Sequence, residues 1–294
     1  MLRGDDMKKF LGQVSLFLVA IIWGGSFVAS AIALRYYSPF QIIALRFTTA
    51  FILAAVIFHR QIKDFSRTAF KGGGLVGLSL FLGIACQTIG LQFTTTSKNA
   101  FLTATSIIMV PFLSWFLLKR QVSKHAIAAA IITLAGIAFL SGDLRTGGFS
   151  LGDPISLLGA VFFALQVYFI DKYLDDVPTN HMVVIQMGIA AIFGWLAVLV
   201  RGEWQFDWSL GAISSILFLG PVCTLVAFGI QTWAQSFVES TQVAVILATE
   251  ALFGSLGAIL ILDEPITQSL LVGAACIFVG IILVEVRPFR RRLR

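Results

Sequence analysis

The sequence predicts an all-α integral membrane protein of ten transmembrane helices, arranged as two inverted five-helix repeats. Three observations lead there. The 294-residue chain is 58% hydrophobic and only 12% charged, about half the charge of an average soluble domain, and its mean hydropathy is +0.92. The charges it has are clustered, leaving uncharged stretches at 10–34, 72–97, 99–118, 126–142, 154–170, 182–200, 208–238 and 265–284. Most of these approach the ~20 residues needed to cross a hydrocarbon layer. Finally, similar segments recur along the chain at an offset near 144 residues.

Dividing the chain at charge clusters, prolines and glycines gives spans at 10–34, 39–58, 72–93, 98–118, 124–141, 153–171, 180–200, 209–232, 239–262 and 267–286. The run 208–238 is too long for one upright helix and too short for two. It is read as one helix broken near Gly220-Pro221, because proline removes a backbone donor and bends the helix. With ten spans, both termini and the even-numbered loops share one side. Sixteen Lys and Arg residues fall there, five of them between Arg287 and Arg294, against Arg35, Lys98, Arg145 and Arg201 on the other side. This excess places both termini in the cytoplasm. The excess of base, 21 Lys and Arg against 15 Asp and Glu, therefore reports orientation and not nucleic-acid binding. Cys86, Cys223 and Cys276 all lie in apolar runs, as small hydrophobes and not as a disulfide or metal set. The first apolar run leads directly into further spans and lacks a small-residue cleavage site, unlike a signal peptide.

The repeat is read from ordered matches. An offset of 144 lays Leu118–Ser123 on Leu262–Thr267, Ala100 on Ala244 and Gly136 on Gly280; Gln92 meets Gln235 at 143, and Pro39 meets Pro178 at 139. Five is odd, so the second copy enters the membrane from the opposite side. Swapping the conformations of two such copies swaps the face to which a central cavity opens, a design suited to carriers.

Several segments carry a resemblance. Trp23-Gly24-Gly25-Ser26-Phe27, Leu45-Arg46-Phe47, Thr95 to Thr103 followed by Val110-Pro111, Glu250, and Leu262-Asp263-Glu264-Pro265 are together similar to motifs of EamA-like members of the drug/metabolite transporter superfamily. Ala251 follows Glu250 where that family often has proline, and Lys119-Arg120 stands where an acidic residue is common. The resemblance implies EamA-like five-helix repeats at 10–142 and 152–286, followed by a basic cytoplasmic tail at 287–294. It also implies export of amino acids, other small metabolites or drugs across a bacterial inner membrane.

Candidate pathway residues are Trp23, Ser26, Arg46, Gln92, Asn99, Thr103, Gln166, Gln235 and Glu250. Glu250 lies near the middle of the ninth span, where a charge costs about 2.5–3.5 kcal/mol. It therefore faces a cavity and serves proton coupling or an amine, or it is a neutral acid hydrogen-bonded between helices. Arg46 binds a substrate carboxylate, or pairs locally while snorkelling outward. Trp23, Tyr168 and Trp233 offer aromatic walls, whereas Trp204 and Trp208 fit the membrane interface. Gln87, Gln92, Asn99, Thr103, Ser106, Gln166, Gln186, Gln231 and Gln235 either tie helices together or wet a cavity. Ser26 and Gln166 sit one repeat apart, suited to two sides of one chamber. Gly24-Gly25, Gly72-Gly73-Gly74 and Gly254-x-x-Gly257 read as close-packing points.

The expected partners are a small-molecule substrate and membrane lipid, with protons as the candidate coupling ion. No cofactor, metal or nucleic acid is called for. An intramembrane enzyme would need a catalytic cluster, yet His59, His125 and His181 all sit at helix ends and neither H-E-x-x-H nor G-x-S-x-G occurs. A lipid or lipid-linked-sugar translocase on the same scaffold is the alternative reading. Without a nucleotide-binding loop, a secondary carrier is the leading one.

Overall fold

The architecture is that of a computed structural model, which describes residues 4–61, 65–106, 108–109, 113, 124–142, 148–238 and 240–285. These residues form helices along ten stretches and no strand. The helices are α1 (Gly4–Ala33), α2 (Pro39–Ile57), α3 (Arg67–Leu91), α4 (Thr96–Ala104, resuming at Ser106), α5 (Lys124–Gly142), α6 (Gly152–Tyr173), α7 (Thr179–Arg201), α8 (Leu210–Ala234), α9 (α9a, Ser240–Ala248, and α9b, Glu250–Ile261) and α10 (Gln268–Glu285). Six of them, α1, α2, α3, α6, α7 and α8, are long and apolar enough to cross a membrane, and shorter apolar helices lie within α5, α9 and α10. Val110-Pro111, Lys119-Arg120 and the tail 287–294 lie outside the described residues.

Local chemistry sets the helix ends. Ser38 accepts from the Gln41 N–H while Gln41 returns a bond to the Ser38 N–H, and Pro39 occupies the first helical position of α2. Ser66, Thr95 and Ser209 cap α3, α4 and α8 by accepting from the N–H of Ala69, Lys98 and Ala212. Gly202, at φ +67°, ends α7 in the left-handed conformation.

Exchanging each helix for the one five places along maps the packing onto itself. The contact of α1 with α9 becomes that of α6 with α4, α1 with α8 becomes α6 with α3, and α3 with α7 becomes α8 with α2. The pairs α2–α7, α4–α9 and α5–α10 map onto themselves. Individual atoms obey the same rule. A Cβ on Gly136 would lie 2.8 Å from Gly273 O and 2.9 Å from Ile277, while one on Gly280 would meet Ala129 O at 3.0 Å and Thr133. Each of these partners sits 144 residues from its counterpart. In α3, Gly77 abuts Gln186 O and Ile189, and in α8, Gly220 abuts Arg46 O and Thr49. That fixes the α2–α7 offset at 140, one more than the Pro39–Pro178 match, so Pro178 corresponds to the capping Ser38.

The loops sort by parity, as alternating spans require. On one face, loop 1 joins loop 7: Tyr37 donates to Asp207 O at 2.6 Å, Gln41 donates to Glu203 O at 2.9 Å, and Ser38 Oγ donates to the Glu203 carboxylate. Loops 3, 5 and 9 also join one another. Lys98 pairs with Asp153 at 3.1 Å, and Glu264 accepts from Ser97 Oγ at 2.6 Å. Lys98 is thus a buried ion-pair partner and not a free loop cation. The even loops 2 and 6 meet each other, with Asn180 donating to Gln61 at 3.0 Å.

Two stability measurements follow. A Cβ on Gly24 would collide with Phe253 and lie 2.9 Å from Gly254 N, so α1 and α9b approach closely there, whereas a Cβ on Gly74 would meet nothing within 4 Å. Gly24→Ala should lower the thermal midpoint in detergent, at an overpacking cost of roughly 1–3 kcal/mol, and Gly74→Ala should leave it within about 0.5 kcal/mol of the parent. The second concerns Glu203. Burial alone would raise its carboxyl, but the Ser38 hydroxyl and the Arg201 guanidinium outweigh that and hold it below its ordinary range. A folded pKa below the unfolded one gives stability at neutral pH that is lost as pH falls through the depressed folded value. Acidification below about pH 4 should therefore lower the melting midpoint of Ser38→Ala less than that of the parent, measured as the midpoint difference between pH 7 and pH 3.5.

Candidate functional site

Helix α8 contains the expected break in the form of a π turn over Phe218–Val226, with Pro221 inside it. A π turn inserts one residue into an α-helix, and the repeat registers the insertion. At the start of the turn the offset is 143, from Gly77 to Gly220. After it the offset is 144: Gly90 packs on Gly152 O, and 140 and 144 residues away Gly12 packs on Ala234. The Gln92–Gln235 match at 143 is therefore shifted by one, and Gln235 corresponds to Leu91. The turn also builds part of the site. Thr224 Oγ1 donates to Leu219 O, five residues back, at 2.8 Å and accepts from Arg46 Nε at 2.9 Å. Cys223 O accepts the Trp23 indole N–H at 3.0 Å, and Trp23 packs on Phe228 with ring centroids 4.7 Å apart. Arg46 is 1% exposed, and its Nη1 has no hydrogen-bond partner.

Helices α4 and α9 are interrupted at equivalent threonines. Thr105 Oγ1 donates to Leu102 O at 2.6 Å, and Thr249 Oγ1 donates to Ile246 O at 2.6 Å. Their backbone N–H groups turn to the same two carbonyls, at 3.3 and 3.2 Å. Residues 105 and 249 are one repeat apart, as are 102 and 246. A threonine hydroxyl bonded back to the preceding turn competes with the helical ladder and bends it. The residue after each break, Ser106 or Glu250, restarts the helix.

These breaks border a cavity of about 690 Å³, counting its open mouth, lined by both halves. At offset 140, α1 and α6 contribute Trp23 with Phe163, Ser26 with Gln166, and Phe27 with Val167. At offset 144, α3 and α8 contribute Ile84 with Phe228 and Gln87 with Gln231, and α4 and α9 contribute Thr103 with Leu247, Ala104 with Ala248, and Ser106 with Glu250. Eight repeat pairs thus supply sixteen of the eighteen lining residues. The other two are Ala164 and Arg46, whose counterpart Gln186 lies off the cavity and donates to Thr232 Oγ1 at 3.3 Å. Gln166 and Gln231 face each other across the wall at 3.3 Å. Arg46 and Glu250 are the charged lining residues. Among the described residues no ion pair joins Arg46 to Glu250, so these two charges share the chamber without a direct bridge.

Of the residues singled out in the sequence, Trp23, Ser26, Arg46, Thr103, Gln166 and Glu250 meet on this cavity. Gln92 is exposed at the end of α3. Asn99 is buried between helices, donating to Ser156 Oγ at 2.8 Å and Gln87 O at 3.1 Å. Gln235 donates to Val167 O at 3.4 Å. None of these three lines the cavity. Tyr168 lies under Lys172, and Trp233 packs on Phe237 at 5.3 Å, both away from it. Gln87, Ser106 and Gln231 line it, although the polar scatter alone gave no reason to rank them above their neighbours. Phe27, Phe163 and Phe228 carried no polar signal in an apolar span; Phe27 closes the Trp23–Phe27 motif, and for Phe163 and Phe228 only repeat spacing could have pointed to them.

Membrane-length helices interlocked in two fives around a cavity of mixed polarity define a multi-pass membrane protein built like a small-molecule carrier. The model of the EamA-like transporter family matches the chain twice, over residues 10–142 and 150–286, and the chain belongs to that family. It is 30% identical to an uncharacterized transporter of Archaeoglobus fulgidus over 96% of this chain and 88% of that one. It is 25% identical to the uncharacterized transporter YvbV of Bacillus subtilis, covering 96% and 94%. It is also 25% identical to a WAT1-related chloroplastic protein of Arabidopsis thaliana, covering 94% and 70%. A solved crystal structure shares the fold, with a TM-score of 0.66 at 16% identity over 92% of this chain and 95% of that one. Family membership brings a small-molecule substrate and a lipid surround.

The threonine breaks can be tested directly. Thr249→Val keeps the side-chain shape and removes the bond to Ile246 O, which should cost about 1 kcal/mol of stability. If the break positions Glu250, cargo uptake in proteoliposomes should fall several-fold more than that loss of folded protein accounts for. Uptake scaling only with the amount of folded protein would assign Thr249 a packing role alone.

Proposed function

We propose that this protein is a secondary carrier that exports small metabolites, such as amino acids or amphipathic drugs, across a bacterial inner membrane. One cavity is exposed alternately to either face as the two inverted repeats exchange conformations. The observation that carries this reading is the pairing of the cavity wall. Because nearly every lining residue has a counterpart in the other half, exchanging the conformations of the halves rebuilds a similar chamber open to the opposite side. The positive-inside distribution puts both termini in the cytoplasm.

Within the chamber, Arg46 offers an unpartnered N–H donor to an anionic group of the cargo, and Trp23 with the phenylalanines takes its apolar part. Ser26, Thr103 and Gln166 supply neutral hydrogen bonds. Glu250 is the coupling residue: it accepts a proton or a cargo amine, and its position at the restart of a broken helix lets its surroundings differ between the two states. Asn99 and Gln235 serve the pathway indirectly, by tying together the helices that enclose it.

Purified protein in proteoliposomes, loaded with and without an imposed pH gradient, tests the reading. A proton-coupled carrier accumulates labelled amino acid in response to the gradient, and Glu250→Gln abolishes that response while keeping exchange down the cargo's own gradient. Uptake that ignores the gradient, with Glu250→Gln equal to the parent, removes the coupling role.

A further inference from the structure

Apart from Arg46, the charge in the cavity comes from position 250, and position 250 has a twin. Ser106 stands 144 residues earlier, directly after the Thr105 break, just as Glu250 follows the Thr249 break. Each threonine makes the same 2.6 Å bond to the carbonyl three residues back. Both residues line the one cavity and both are half-buried. The two preceding cavity residues pair as well, Ala104 with Ala248 and Thr103 with Leu247. The backbone device is therefore present twice, armed with a carboxylate in the second half and with a hydroxyl in the first.

We propose that Ser106 is a specificity-determining residue: positions 106 and 250 are equivalent stations facing one chamber, and their summed charge against Arg46 selects the charge of the cargo. This rests on the carrier reading above. With one cation and one acid, the chamber balances a cargo bearing both signs. Neutralising position 250 leaves Arg46 unopposed and favours anions, and adding an acid at 106 favours cations. In a low-dielectric chamber such charges act through space without needing direct contact. The placement of an acid at 106 or at 250 is then interchangeable for cargo selection, even though the two residues belong to different halves.

The test uses three probes that share a phenyl ring: phenylalanine, phenethylamine and 3-phenylpropionate. Their relative affinities are measured on the purified full chain in nanodiscs. Glu250→Ser should shift the ratio of cation to anion affinity toward 3-phenylpropionate by about tenfold. The double variant Glu250→Ser/Ser106→Glu should bring that ratio back to within about threefold of the parent. A folded double variant that keeps the Glu250→Ser ratio overturns the proposal. A second measurement needs no cargo and no second acid. In a background with Cys86, Cys223 and Cys276 replaced by alanine, the Ser106→Cys protein is labelled with cationic and anionic methanethiosulfonates. Its cation-to-anion rate ratio should fall about tenfold when Glu250→Gln is added. A thiol that does not react, or a ratio that does not move, overturns the proposal. Should none of the three probes bind the parent, the amino-acid part of the carrier reading falls, while the labelling ratio still decides whether 106 and 250 share a chamber.

Discussion

A backbone carbonyl in hydrocarbon has no water to turn to, so a membrane helix can break only where another donor or a wet cavity takes over. In this protein that constraint locates the site. The three interruptions among the described helices fall in α4, α8 and α9; those in α4 and α9 border the chamber, and the one in α8 reaches it through Arg46. Each is made good by a threonine: Thr105 and Thr249 return their hydroxyls to the preceding turn, and Thr224 spans the π turn to Leu219 while holding Arg46. Irregular backbone and polar cavity-lining side chains thus coincide because one threonine both repairs the ladder and adjoins or holds a lining group.

The second constraint is the two-fold relation between the halves. It accounts for the close approach of α5 to α10 at Gly136 and Gly280, and for Gly77 and Gly220 receiving α7 and α2 at equivalent points. Glycine at these positions reflects packing need, since helix association in lipid depends on close contact and not on expulsion of water. It also explains why the wall of the chamber comes in pairs: a residue facing the pseudo-axis from one half has a counterpart facing it from the other.

Much of this was legible in the sequence. The ten spans stand out because lipid forbids charge, and their ends fall within a few residues of caps such as Ser38, Thr95 and Gly202. Gly220-Pro221 marked the break in α8, although not that it inserts a residue, and for that reason Gln92 and Gln235 aligned one place off. The breaks in α4 and α9 were invisible, because threonine is tolerated in helices and only the pairing of 105 with 249 sets these two apart. Residues within a span were harder to orient. A helix that is apolar on every side has no polar face to read, so Asn99, which ties α4 to α6, looks the same in sequence as Gln166, which faces the chamber. Trp23, Arg46 and Glu250 stood out because a large aromatic or a charge at that depth needs a reason.

Where the two-fold relation fails is as informative as where it holds. Four neutral polar groups of the chamber are matched across the halves, Ser26 by Gln166 and Gln87 by Gln231, while Thr103 answers to apolar Leu247; neither charge has a charged counterpart: Arg46 answers to Gln186, which lies outside the chamber, and Glu250 answers to Ser106. A ligand shifts a conformational equilibrium only by as much as it binds the two states differently. Matched neutral groups would present a cargo with nearly the same surroundings in either state and give it little leverage. Arg46 is fastened to α8 through Thr224, while Glu250 sits on α9b beside a break. Exchanging the conformations of the halves would move one relative to the other, and no mirror-image pair would cancel the change. On the proposed carrier reading, the unmatched charges are the groups through which a proton or a charged cargo would bind one state better than the other.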